Sequence, residues 1–433
     1  MTNAGRIFND AGTLDNSGTF TNQGNVFNYG SLNNAGTLDN MLYLENDRSL
    51  TNSGAFTNEA TLHNSDGTLN NQAGATLNNF GAVVNDYGTI NNSGVLSSYG
   101  VGINNVGTIN NNAPGFLEIG TVLANAAFIN NGGLLLSHTL AEITSELGPY
   151  GIHPVVNNTG RIANYGTFTN GFYSTLNNSG AFDNLGYLTN DVGGTLNNTG
   201  SLENIASLLT NRGHFDNSGQ LDISDGGQLN NEAGGTIYNS GTVNIAKGGS
   251  IYSDGNYLQS GGMTVVDGTL TGRVGIYAGR LMGTGTVFGV VESYYGTMAP
   301  GDSVGTFTIS YLYSQSEEGI FEVEIFPSGF DQLKVGGLVE LDGTLVILLA
   351  EGYNPAVATT YKFILCPPGG VFGAFVNIQN DIFNSGTEKW IVNYDNTNGY
   401  VELEAYATPE PSSLLLLGSG LLSLGYGVRR MKK

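Results

Sequence analysis

The sequence predicts an all-β chain: a parallel β-solenoid (β-helix) built from Asn/Gly hexapeptide-like repeats and followed by a C-terminal transmembrane helix. Three observations carry that expectation. Residues 12–40 read GTLDNSGTFTNQGNVFNYGSLNNAGTLDN, with Gly12, Gly18, Gly24, Gly30 and Gly36 evenly spaced and Asn16, Asn22, Asn28, Asn34 and Asn40 closing each unit. The composition holds 66 glycines in 433 residues with only 12% charged side chains, which suits a repeat architecture and neither a highly charged disordered chain nor a multi-span membrane protein. Finally, residues 412–428 form an uncharged Leu- and Gly-rich run unlike anything before them.

The repeat is taken first. Within Gly12 to Ser17, Leu14 and Asn16 lie two apart and share one face of an extended strand, whereas Thr13 and Asp15 share the other. If Leu14 points inward, Asn16 does too. The glycine that follows is read as a corner residue with positive φ, which few side chains tolerate. A strand that turns at each unit coils, and stacking coils about 4.8 Å apart places Leu over Leu or Phe and Asn over Asn. The buried amides would then bond one another and the corner backbone, since an unpaired buried amide costs about 1–3 kcal/mol. Three hexapeptides per coil make a triangular coil of roughly 18 residues, and longer coils with two or three unequal sides satisfy the same pattern.

Residues 1–133 are therefore read as repeat solenoid. The pattern already runs through Met1, Thr2 and Asn3 with no basic or apolar leader before it, so a truncated N-terminus is expected. Residues 134–155 form an insertion in which the Asn-x-Gly corners disappear. The run from Thr139 to Gly148 reads as a short helix, capped by Ser137 or Thr139 and placing His138 and Glu142 on one face. A metal site there lacks a third ligand, and a surface pair is the expectation. His153 beside Pro154 ends the insert. Residues 156–250 continue the repeat through GTFTN, GTLNN and GTVNI. In residues 251–405 the strands lengthen. The run from Gly285 with Ala299, Pro300, Gly301, Asp302, Ser303, Val304, Gly305, Thr306 and Phe307 resembles the downstream part of autotransporter passenger domains over roughly residues 280–375. That resemblance implies continuing solenoid or its cap rather than a separate enzyme domain.

Residues 406–433 are the last segment. As a helix, the apolar run containing Leu414, Leu415, Leu416, Leu417, Leu421, Leu422 and Leu424 is about 25 Å long, just short of a hydrocarbon core of about 30 Å. Arg429, Arg430, Lys432 and Lys433 follow it and read as a stop kept on the cytoplasmic side. Pro409, Glu410 and Pro411, then the apolar run, then the basic cluster, resemble the PEP-CTERM sorting signal of Gram-negative bacteria. The resemblance implies export, a transient inner-membrane anchor, recognition of Pro409, Glu410 and Pro411 by an exosortase, and delivery to the cell surface or extracellular matrix.

The charge balance narrows the partners. The chain carries 36 acids against 14 bases, a net charge of -22, with four of those bases at the extreme C-terminus. Such a body repels nucleic acid. Cys366 is the only cysteine, which excludes an intramolecular disulfide and a cysteine-based zinc site, and no cofactor or metal is expected. Asp222, Asp225, Asp254 and Asp267 are the acids a polysaccharide lyase or hydrolase would need, but each sits beside turn residues that favour Asp for turn chemistry alone. His63 and His214 occupy variable slots of repeat units, and no catalytic residue is assigned. Trp390 and Cys366 are read as core. Tyr29, Tyr87, Tyr99, Tyr165 and Tyr187 lie at or near corners, where they could stack on sugars. The expected role is an exported structural or adhesive protein of the cell surface or biofilm matrix, with exopolysaccharide or other surface polymers as partners. The alternative is a polysaccharide-binding or polysaccharide-degrading β-helix protein.

Overall fold

In the computed structural model, residues 1–146 and 151–408 are described, and the chain divides into two compact units, Met1–Glu292 and Ser293–Lys433. In the first unit most strands are four residues long and are joined by short corners. Up to the long strands near its end, each strand pairs in parallel with the third strand after it, so three strands make one coil: Thr19–Asn22 lies on Thr37–Asn40, which lies on Ala55–Asn58. The side carrying these strands is called the first side. The second carries Asn25–Asn28 and Tyr43–Asn46, and the third Ser31–Asn34 and Ser49–Asn52. Asn ladder partners stand 18 residues apart in the early coils and 21 apart where longer corners enter.

The register stacks like on like. Phe20, Leu38 and Phe56 share a column on the first side, and Leu32, Leu50 and Leu69 share one on the third. These side chains are at most 2% exposed, so each coil contributes apolar groups that only its neighbours can cover.

At many corners glycine is required by space rather than by handedness. None of Gly12, Gly18, Gly24, Gly30 and Gly36 has positive φ. A Cβ on Gly36 would instead collide with the backbone carbonyl oxygen of Gly18 one coil earlier, and a Cβ on Gly200 with that of Gly180. Where corner glycines stack one coil on another, the spacing leaves no room for a methyl group, which corrects the expected reason for glycine at these positions.

The expected helix after residue 138 is absent. Leu134–Ser137 and Glu142–Ser145 are strands, paired with Arg161–Asn164 and Thr167–Asn170 of the next coil. Ala141, Ile143 and Ser145 are buried while Glu142 is exposed, so period-two alternation prevails over the helical spacing of Leu140 and Ile143. His138 and Glu142 accordingly share no helix face. Among the described residues of this unit there is no α-helix. Toward its end the strands lengthen into Asn256–Val266 and Thr269–Gly283, with the hydroxyl of buried Tyr257 2.7 Å from Thr264 Oγ1.

The second unit keeps parallel pairing, as in Thr306–Ile309 with Gln332–Val335 and Ile320–Phe326 with Thr344–Leu349. Its end is different: Glu388–Asp395 and Tyr400–Ala407 form an antiparallel hairpin whose second strand also pairs antiparallel with Thr360–Leu365. Trp390 on that hairpin is buried, packing edge-on to Tyr361 and flat on Phe383, whereas Cys366 is only half-buried.

Candidate functional site

The polar interior is built first, because it decides which surfaces are left for function. On the third side an unbroken amide ladder runs from Asn16 to Gln259. Each Asn donates a proton from Nδ2 to the side-chain oxygen of the next coil at 2.7–2.9 Å, and the ladder crosses the insertion directly from Asn131 to Asn158. The second proton goes to a backbone carbonyl at the start of a strand beyond, as from Asn34 to Ala55 or from Asn178 to Ser201. Two donations from Nδ2 fix the orientation of each amide. All these dipoles point the same way along the stack, an arrangement in which successive bonds polarise one another.

The first side shows how such a ladder ends. Asn79 donates to Ser98 Oγ at 3.0 Å, the next slot is Ile119, and the ladder restarts with Ser137 Oγ donating to Asn164 Oδ1 at 2.6 Å. A hydroxyl accepts from the last amide on one side and donates to the first amide on the other, so one apolar rung can intervene with no orphaned amide. On the second side the splice is incomplete. Asn125 donates to Ser145 Oγ at 3.3 Å, but Asn170 Oδ1, the next slot, is buried with no partner.

Outside the coils a second Asn ladder lies on the third side. Asn91, Asn110, Asn130, Asn157, Asn177 and Asn197 each donate to the preceding coil, ending on Asn70, at 2.8–2.9 Å. It runs opposite to the inner ladder and carries no charge between Asp15 and Asp216. This is a flat face of amides beside Thr68, Thr89, Thr108, Thr175 and Thr195.

The candidate chemical residues fall into local partnerships. His138 Nε2 is 2.8 Å from Glu118 Oε1, and Ser97 Oγ donates to the other carboxylate oxygen at 2.7 Å. Burial raises the Glu118 carboxyl, but bonds from Tyr99, His138 and Ser97 outweigh it and hold the group below the usual range. His63 lies between the Tyr43 hydroxyl (3.1 Å) and Asp86 (3.0 Å), His214 pairs with Asp216 (2.9 Å), and the His153 ring packs 5.4 Å from Tyr173. Asp222 accepts from Asn244 and Gln220, and Asp267 accepts from the backbone and hydroxyl of Thr284. Asp225 occupies a left-handed turn at φ 51, and Asp254 follows a second-side strand at a different corner. No group of three or more His, Cys, Asp or Glu side chains able to hold a metal occurs among the described residues.

The corner tyrosines do point outward, with Tyr29 38%, Tyr87 57%, Tyr99 44%, Tyr165 44% and Tyr187 61% exposed. Two of them share a cleft. Tyr165 and Tyr187 flank an open cleft of about 370 Å³ at the corner between the first and second sides, with Leu185, Ser207, Leu208 and Gln228 in its lining. The sequence flagged these tyrosines singly. Their convergence depends on coil lengths that only the folded register supplies.

Asp331, in the second unit, drew no attention in the sequence. It is 2% exposed and accepts backbone protons from Gly305 (3.1 Å) and Glu324 (2.9 Å), tying the turn after Gly301 to the strand Ile320–Phe326. Burial pushes its carboxyl up to about 7, against the opposing effect of those two N–H donors.

Pro409, Glu410 and Pro411, the apolar leucines and the basic stop lie outside the described residues. Among the described residues no helix is long and apolar enough to cross a membrane.

Comparison with known proteins adds the following. No curated protein matches the sequence. Among solved structures, a TibC-catalysed hyper-glycosylated TibA fragment is similar at 14% identity, a TM-score of 0.25, and coverage of 86% of this chain and 99% of that one. The Haemophilus influenzae Hap adhesin is similar at 12% identity and a TM-score of 0.39, with 93% of this chain covering 59% of that one. The PEP-CTERM protein-sorting motif matches residues 407–431, and with that motif at its C-terminal end the chain carries the signal of an exported, exosortase-processed protein.

Proposed function

We propose that this chain is a structural and adhesive protein of the cell surface or extracellular matrix, delivered there by exosortase processing of its tail. The observation that carries the reading is the sorting motif at residues 407–431. In this reading Pro409, Glu410 and Pro411 are the residues recognised, and the leucines from Leu414 to Leu424 hold the precursor in the inner membrane. Arg429, Arg430, Lys432 and Lys433 stop its transfer. The body supports a non-catalytic role: its buried polar groups serve to join coil to coil, and its outward faces repeat one pattern over many coils. Weak contacts repeated along such a face add up through avidity.

The test is fractionation of the full chain in a host that contains an exosortase, with the wild-type sequence and a variant carrying Pro409→Ala and Glu410→Ala. The wild type should reach the surface or the medium, shortened by its tail. The variant should remain in the inner-membrane fraction at full length. Equal surface delivery of both would sink the sorting assignment, while normal delivery with no adhesion to polysaccharide, cells or matrix would sink the adhesive half.

A further inference from the structure

Tyr165 and Tyr187 stand in adjacent coils and line one cleft. Tyr165 fills a corner slot, and the corners after it hold Leu185 and Ala206. Tyr187 takes the first outward slot of its strand, aligned with Thr167 on one side and Leu208 on the other, and Gln228 continues that column. Earlier coils fill this second-side slot variously, with Tyr43, Thr61, Ala82, Glu142 and Thr167 among them. Five consecutive coils, from the one holding Thr139 to the one holding Gln228, therefore line one cleft, about 19 Å long at strand spacing. Ala206 adopts φ 48, a conformation that disfavours side chains, and the Ser207 hydroxyl is turned onto Asn184 O and Asn204 Oδ1. Small and inward-tied groups in the middle leave the space between the larger ones open.

We infer that this cleft binds a neutral saccharide chain lying along the coil axis. The lining, which also includes Thr139, contains no charged side chain, in a protein with 36 acids. An anionic polymer would meet a surface of its own sign with no base to receive it. A peptide adding itself as a strand would find the backbone already used: Tyr187 N donates to Gly166 O at 2.7 Å and Gln228 N to Ser207 O at 2.8 Å. What the cleft offers is two exposed aromatic rings with hydroxyl tips, an aliphatic floor from Leu185 and Leu208, and the Gln228 amide. Pyranose rings present apolar C–H faces and a rim of hydroxyls, which such a surface complements. The inference deepens the adhesive reading by naming a ligand class and a place, and it rests on that reading for its biological setting.

The test is calorimetry on the purified full chain with neutral gluco-oligosaccharides and dextran, alginate oligosaccharides as an anionic probe, and an apolar peptide. Variants are Tyr165→Ala, Tyr187→Ala, Tyr187→Phe and, at a different corner, Tyr29→Ala. A neutral glycan should bind, and Tyr165→Ala and Tyr187→Ala should each weaken it about tenfold or more. Tyr187→Phe should keep most of the affinity, and Tyr29→Ala all of it. Unchanged urea midpoints exclude unfolding as the cause. The inference is overturned by no neutral glycan binding, by preference for alginate or the peptide, or by equal losses at Tyr29 and Tyr187. Because the measurement uses purified protein, its outcome does not depend on whether the tail is processed.

Discussion

Asn177 and Asn178 are adjacent, identical in chemistry and both members of amide ladders, one outside and one inside the coil, so they separate burial from hydrogen bonding. Asn178 accepts from Asn158 at 2.7 Å and donates to Asn198 Oδ1 at 2.7 Å and to Ser201 O at 2.8 Å, and is 1% exposed. Asn178→Ala removes all three bonds and leaves one N–H of Asn158 and the Oδ1 of Asn198 buried with no partner. At about 1–3 kcal/mol for each orphaned group, plus a small cavity term, the loss should be about 3–5 kcal/mol. Asn177→Ala removes the bonds to Asn157 and from Asn197, but water replaces both, so the cost should stay within about 0.5 kcal/mol. Stacked coils need not unfold as one unit. Urea titration by circular dichroism should therefore be read with amide hydrogen exchange, which for Asn178→Ala should lose protection first in the coils holding Asn158 and Asn198. Stabilities of the two variants that agree within about 1 kcal/mol would refute the claim that the inner ladder is energetically distinct from the outer one.

Three further outcomes follow from the same geometry. Ser145→Asn should close the gap between Asn125 and Asn170 and raise stability by about 1 kcal/mol, visible as a higher urea midpoint; a lower one would show that the site cannot hold an amide. Gly36→Ala should be strongly destabilising because its Cβ would overlap Gly18 O, whereas Gly18→Ala, with nothing near its Cβ, should be neutral or slightly stabilising in thermal melts. Asp331 has a folded-state pKa of about 7, above its unfolded value of about 3.9, so its contribution is fully present below the unfolded value and is lost as pH rises through about 7. Urea midpoints for the second unit should fall over that window. Asp331→Asn should flatten the fall, and an unchanged slope would remove Asp331 as its cause.

The coil was legible because its information is local. Leu14 and Asn16 two residues apart, with glycine beyond, specify one face, one ladder slot and one corner without reference to anything distant. The reason for glycine was misread because a corner in isolation suggests φ, while the clash of Gly36 with Gly18 exists only between coils. The segment after Ser137 was misread because Leu140 and Ile143 have helical spacing, and nothing in the sequence says that Ser145 is standing in for Asn. The tyrosine cleft and Asp331 were invisible for a related cause: Tyr165 and Tyr187 come to line one cleft, and Asp331 meets Gly305, through coil lengths that vary by a few residues from turn to turn.

That variability bears on how so repetitive a chain selects one register. A slip by one residue is prevented by the pleat, since it would turn every Leu outward and every Thr inward. A slip by a whole coil is not prevented by the repeat, because TLNN pairs as well with one TLNN as with another. The irregular rungs resolve this. Moving the first side by one coil would set Asn79 against Ile119, taking away the side-chain acceptor of one buried N–H, and would part Ser137 from Asn164. Each mismatch costs about 1–3 kcal/mol, so two together outweigh much of a domain's net stability of about 5–15 kcal/mol. The sequence Ser98, Ile119, Ser137 is therefore an address within the ladder. Replacing Ile119 by Asn with Ser98 and Ser137 also changed to Asn should preserve or raise local stability. The same change should slow refolding by making misregistered coils as good as the native ones, and refolding as fast as wild type would count against this role for the serines.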